Sequence, residues 1–126
     1  MAISLKTILI VEDDISIREV LQESLESEGF LIVQAENGKV GLEKLNEIPR
    51  PSVILLDMMM PIMDGREFLD RVRKDQTLKT IPIIVISANA SPAQARGANA
   101  FIPKPIDFDY LLTTIKRLQA SAPSEV

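Results

Sequence analysis

Five short apolar runs, each followed by a segment of helical periodicity, constrain this chain more than any other feature. The first, Ile8-Leu9-Ile10-Val11, has no alternation of polar and apolar residues, so both of its faces must be covered. Val53 to Leu56 and Ile83 to Ile86 share that character, while Phe30 to Ala35 reads as a second strand and Ala100 to Ile102 as a short fifth. Between them, Ser16 and Glu19 form a candidate capping box for a first helix. Its inward face is Ile17, Val20, Leu21 and Leu25, and Gly29 is its terminator. Asn37 is expected to cap a second helix with Gly41, Leu45 and Ile48 inward, closed by Pro49 and Pro51. Asp64 caps a third with Phe68, Leu69 and Val72, and Asp107 caps a last one with Phe108, Leu111, Leu112, Ile115 and Leu118 on one face.

Strand alternating with helix five times predicts an α/β fold with a doubly wound parallel sheet, because parallel neighbours need right-handed crossovers and helices must cover both faces. The 126 residues suit one such domain. Its expected extent is 1–118. Residues 119–126 lack apolar periodicity and contain Pro123, and are expected to form a flexible tail.

Composition narrows the chemistry. The chain has no cysteine and no histidine, which removes disulfides, thiolate and imidazole from any mechanism and leaves carboxylates, lysine and hydroxyls. A net charge of -4 argues against a direct nucleic-acid or anionic-membrane partner, since both repel an acidic protein at range. No charged-then-apolar leader or long uncharged apolar run occurs, so a cytoplasmic protein acting on another protein is expected.

In open α/β sheets ligands sit beyond the carboxyl ends of the strands, at the switch point in strand order. The first strand ends in Glu12-Asp13-Asp14, the third in Asp57, the fourth in Ser87, and the fifth runs into Pro103-Lys104-Pro105. With strand order 2-1-3-4-5, the first and third strands are neighbours, which brings Glu12 or Asp13 within reach of Asp57. Crowded carboxylates call for a cation, and an all-oxygen donor set fits Mg²⁺ rather than zinc. A carboxylate beside a divalent ion and the Lys104 ammonium is equipped to form an aspartyl phosphate, with the Ser87 hydroxyl available to the phosphate.

Several neighbours have simpler roles. Asp14 is expected to be a solvated charge or a helix cap, Met58-Met59-Met60 to be apolar filler, and Phe101 to be core packing. A backbone carbonyl in the methionine run remains available to a metal.

Taken in order, Ile8 to Asp14, Asp57-Met58-Met59-Met60-Pro61-Ile62-Met63-Asp64-Gly65, and Phe101-Ile102-Pro103-Lys104-Pro105 resemble the response-regulator receiver domain, over about Lys6 to Leu118. The resemblance implies a flavodoxin-like, doubly wound (βα)5 three-layer sandwich and a phosphorelay switch that catalyses its own Mg²⁺-dependent modification. In that pattern Asp57 accepts a phosphoryl group from the phosphohistidine of a sensor histidine kinase or histidine phosphotransfer protein. Glu12 and Asp13 place Mg²⁺, completed by Asp57 and the Met59 backbone carbonyl. Ser87 and Lys104 engage the phosphate, Phe101 turns inward when Ser87 does, and the Lys104-Pro105 peptide is cis.

The chain departs from the family between Ser87 and Lys104, which is a few residues short. Ser91 as N-cap, Pro92 at the first helical position and Gly97 as terminator leave a shortened fourth helix of little more than one turn, Pro92 to Arg96. The usual dimer face is weakened accordingly, so a monomer or weak dimer acting on a downstream protein is expected. A stand-alone switch is the first expectation, with a receiver fragment of a larger hybrid kinase or regulator close behind. A phosphorylation-independent interaction module is a further alternative. An aspartyl phosphatase is disfavoured because Met59 stands where a second acid is needed, and a flavodoxin-type cofactor site is disfavoured by the acidic crevice.

Overall fold

The computed structural model describes residues 6–89 and 91–121. Five parallel strands form one sheet: β1 (Thr7–Val11), β2 (Leu31–Ala35), β3 (Val53–Asp57), β4 (Ile83–Ser87) and β5 (Ala100–Pro103), in the order β2-β1-β3-β4-β5. This is the expected order. The register sets Val11 beside Ala35 and Leu56, Asp57 beside Ile86, and Ser87 beside Pro103, which aligns the carboxyl ends of the strands along one rim. β3 and β4 are buried throughout, as their unbroken apolar composition requires.

Successive strand residues point to opposite faces, and each face has its own core. α1 (Ile15–Glu26) and α4 (Phe108–Ser121) cover one side, where Leu21, Leu25, Leu111 and Ile115 pack on Ile8, Ile10 and Leu55. α2 (Gly38–Glu47) and α3 (Gly65–Lys74) cover the other, where Leu45, Phe68, Leu69 and Val72 pack on Leu9, Val11 and Leu56. Each fully buried Leu or Ile contributes about 2 kcal/mol, so neither layer of helices is dispensable. Among the described residues no helix is long and apolar enough to cross a membrane.

Local details differ from expectation in four places. The first helix is capped by Asp14, not by a Ser16–Glu19 box: its Oδ1 accepts from the Ser16 and Ile17 amides at 2.9 and 3.3 Å, and the helix therefore begins at Ile15. Val20 is 63% exposed, because the buried stripe of α1 follows Leu21 and Leu25 and leaves Val20 off its edge. Ile48 lies past α2 as its extended C-cap. α4 continues past Leu118 to Ser121, and Gln119 Nε2 donates to Ser52 Oγ at 2.7 Å; the rest of the expected tail, 122–126, lies outside the described residues.

The largest correction concerns the fourth helix, which does not form. Residues 92–97 make a succession of turns whose amides reach back three residues rather than four, as in Ala95 N–H to the Pro92 carbonyl (3.1 Å) and Ala98 N–H to Ala95 (3.0 Å). Ser91 does exchange hydrogen bonds with Gln94, and Gly97 at φ +99° turns the chain, so both end signals operate without a helix between them. Arginines of α3 supply the missing order. Arg66 Nη1 donates to the Gln94 carbonyl at 2.9 Å. Arg73 Nε donates to Gly97 O at 2.8 Å, while its other nitrogens reach Asn99 Oδ1 and the Lys79 and Ile81 carbonyls. One turn of isolated helix is marginal, and these charge-assisted bonds to its carbonyls outweigh it.

Candidate functional site

The rim at the carboxyl ends of β1, β3, β4 and β5 brings the expected polar residues together. Glu12, Asp57 and Ser87 are buried, at 3%, 5% and 1% exposure, whereas Asp13 is open to solvent. Carboxylate oxygens of Glu12, Asp13 and Asp57 all lie within 4.8 Å of one another. Lys104, carried by the strand end after β5, places Nζ 2.7 Å from Glu12 Oε1 and 3.7 Å from Asp57 Oδ1. Its amide donates to the Ser87 carbonyl at 3.1 Å, and the Lys104-Pro105 peptide is cis. Phe101 is half-buried and packs at the margin of the core that contains Val85. Asp14 turns away to cap α1.

Burial is the largest influence on the Glu12 carboxyl and pushes it from the ordinary 4.5 to about 7; the Lys104 hydrogen bond pulls the other way, and the neighbouring Asp57 adds to the rise. For Lys104, burial works to lower the ammonium, but the hydrogen bond and charge of Glu12, with the charges of Asp57 and Asp13, outweigh it and hold Lys104 above its usual range. The consequence for stability has a definite sign. Between about 4.5 and 7 the folded chain holds a proton on Glu12 that the unfolded chain has released, so the contribution of Glu12 to metal-free stability is full below pH 4.5 and declines as pH rises to about 7. The expected loss is about 3 kcal/mol at most. Denaturant titrations in EDTA at several pH values should show this decline, and Glu12→Gln should flatten it; an equal slope in the two proteins would assign the decline elsewhere.

The donor set suits a hard divalent cation. Three carboxylates, two of them buried, face one point, and the chain has neither histidine nor cysteine to offer an imidazole or thiolate. Met59 follows Asp57 by two residues with its side chain 64% exposed, while Met58 is buried and Met60 packs on the core, so only part of the methionine run is filler.

The loop between Asp57 and α3 is clamped from two sides. Gly38 N–H donates to Met63 O and Gly65 N–H to Met58 O, both at 3.1 Å. At its tip the Met63 amide donates to Pro61 O at 2.8 Å, a three-residue turn that drives Ile62 to φ +70°. A β-branched residue is strained there, and the Ile62 side chain is 77% exposed, so burial offsets little of the strain. Ile62→Asn should raise the urea midpoint by an amount equivalent to about 1 kcal/mol. A lowered midpoint would show that the isoleucine side chain contributes packing that outweighs its backbone strain.

Sequence reasoning passed over two contributors. Arg18 Nη1 donates to the Glu12 carbonyl at 2.7 Å, and nothing in its spacing distinguishes it from a solvated helix arginine. Gly65 sits so close to β3 that an added Cβ would lie 2.5 Å from the Asp57 carbonyl oxygen; a glycine directly after a helix cap was the available signal.

Comparison with known proteins agrees with this geometry. A sequence-family profile described as the response regulator receiver domain matches residues 8–116. Transcriptional regulatory protein CseB of Streptomyces coelicolor is 36% identical over 114 residues, which is 86% of this chain and 47% of that protein. Sensor histidine kinase CheAY of Helicobacter pylori is 32% identical over 116 residues, 87% of this chain and 14% of the kinase. Response regulator protein TrrA of Thermotoga maritima, solved in complex with Mg²⁺ and BeF, superposes with a TM-score of 0.81 at 34% identity, covering 90% of this chain and 99% of that one. The chain spans about half the length of the transcriptional regulators it matches. With the sheet order, the acidic rim and the family profile in accord, this chain belongs to the response regulator receiver domains of two-component signalling.

Proposed function

We propose that Asp57 is the phosphoryl acceptor of this receiver, modified by a phosphohistidine on a sensor kinase or phosphotransfer protein, with Mg²⁺ held by Glu12, Asp13, Asp57 and the Met59 backbone carbonyl. The observation that supports this most directly is the convergence of three carboxylates within 4.8 Å at the rim, with the Lys104 ammonium 3.7 Å from Asp57. When bound, Mg²⁺ supplies charge neutralisation for the acids and for the incoming phosphoryl oxygens.

The chain's own residues do the rest. An Asp57 carboxylate oxygen attacks phosphorus, the phosphorus–nitrogen bond to the donor imidazole breaks, and its electron pair stays on that nitrogen. Buried backbone on β3 fixes Asp57 in the attacking position, so positioning rather than acid–base chemistry lowers the barrier. Lys104, held protonated, stands by to share the new charge, and the Ser87 hydroxyl lies at the end of the neighbouring strand. Ser87 and Phe101, on paired strands, relay the modification to the β4–β5 connection and so to a downstream protein.

Incubation with acetyl phosphate and Mg²⁺, followed by intact-mass and peptide analysis, tests this reading. One labile adduct on the peptide containing Asp57, absent in EDTA, is expected. An unmodified wild-type chain in Mg²⁺ would overturn it in favour of a phosphorylation-independent binding module.

A further inference from the structure

β1 ends at Val11, so the Glu12 carbonyl lies beyond the strand ladder. Both peptide groups of Glu12 are nevertheless fixed. Its N–H donates to Ala35 O at 3.0 Å, and its carbonyl accepts from Arg18 Nη1 at 2.7 Å. Arg18 is itself held in place. Its Nε donates to Gln34 Oε1 at 2.9 Å, and Gln34 Nε2 donates in turn to Gln22 Oε1. The brace therefore ties α1 and β2 to the peptide that joins Glu12 to Asp13.

That peptide matters because the two acids are secured differently. The Glu12 carboxylate has Lys104 Nζ at 2.7 Å and the Asp14 amide at 3.3 Å. Asp13 is exposed, and among the described residues no side-chain hydrogen bond holds it. The direction of its side chain depends on the peptide plane from which it springs, and Arg18 donates to the carbonyl of that plane. We propose that Arg18 is a positioning residue for the divalent-cation site, orienting Asp13 through the Glu12–Asp13 peptide. This rests on the metal-binding reading of the rim given above.

Charge and position make opposite demands at Arg18, which allows them to be separated. Removing a cation near an acidic site strengthens cation binding, whereas removing a brace weakens it. The brace also acts selectively, since Mg²⁺ requires near-octahedral geometry and Ca²⁺ tolerates irregular ligand placement. A lysine keeps the charge but lacks the planar fork that bridges two acceptors.

Calorimetric titration of the full chain with Mg²⁺ and with Ca²⁺ at fixed ionic strength tests the proposal, comparing wild type with Arg18→Ala, Arg18→Lys and Gln34→Ala. Mg²⁺ affinity should fall about tenfold in Arg18→Ala and less in the other two, as for outer partners of metal ligands generally, while Ca²⁺ affinity changes little. Mg²⁺ affinity that is retained or raised in Arg18→Ala, or a parallel loss for the two ions, would overturn it. Where Arg18→Ala does not fold, Gln34→Ala decides alone, because it loosens Arg18 without altering charge: an unchanged ratio of Mg²⁺ to Ca²⁺ affinity refutes the proposal. A wild-type chain that binds neither ion removes the metal-binding reading and this proposal together, whereas wild-type binding with indifferent variants removes only the latter.

Discussion

Asp57→Ala should take up no phosphoryl group under conditions that modify the wild-type chain. The expectation is all-or-none rather than graded, since Glu12 is engaged by Lys104 and Asp13 is open to solvent, leaving Asp57 as the buried carboxylate that faces both the acids and the ammonium. The same substitution has a second signature. Asp57 stands among the causes that hold Glu12 up at about 7, behind burial and against the Lys104 hydrogen bond, so its loss eases Glu12 downward and makes the metal-free decline of stability between pH 4.5 and 7 shallower. Intact mass reads the first effect and denaturant titration in EDTA the second. An adduct that persists in Asp57→Ala would place the acceptor elsewhere, and an unaltered pH profile would remove Asp57 from the environment of Glu12.

Gly65→Ala should destabilise the fold by about 3 kcal/mol, at the upper end of the usual cost of overpacking. The reason is the identity of the atoms in the way. An added Cβ would meet the Asp57 carbonyl oxygen at 2.5 Å and Met58 Cα at 2.6 Å, and both are backbone at the end of a buried central strand. A side chain could rotate aside; β3 cannot. Gly29 provides the contrast, since its added Cβ meets nothing within 4 Å and only its φ of +96° opposes substitution, a cost of about 1 kcal/mol. Urea midpoints of the two variants should therefore differ clearly. If Gly65→Ala proves no worse than Gly29→Ala, the loop after β3 yields more readily than its clamping hydrogen bonds imply.

What the sequence disclosed about the fold was carried by elements whose determinants are local. Unbroken runs such as Val53 to Leu56 admit few alternatives to a strand covered on both faces, and Asn37, Asp64 and Asp107 cap the helices for which they were expected, with Asp64 Oδ1 accepting from the Glu67 amide at 2.9 Å. Failures occurred where a distant side chain decided a local outcome. The Pro92 to Arg96 segment has helix signals at both ends, yet Arg66 of α3 takes its Gln94 carbonyl and Arg73 takes that of Gly97 just beyond it, and no window on that segment contains those arginines. At the site, strand order 2-1-3-4-5 sets β1 beside β3 and so foretold that Glu12 or Asp13 would reach Asp57; the structure brings both there. The partition of Lys104 between Glu12 at 2.7 Å and Asp57 at 3.7 Å depends on side-chain geometry that order does not encode. Arg18 escaped for the same reason.

The Arg73 fan places a restriction on how this domain can diverge. One guanidinium answers Lys79 and Ile81 before β4 and Gly97 and Asn99 after it, so the connection after β4 is joined to α3 at two fixed points with set spacing. Residues inserted between Ser91 and Gly97 to regain a full helix would carry those points out of register, and a guanidinium suited to four acceptors would be left with two. A longer connection here therefore calls for a change at position 73, on a different helix.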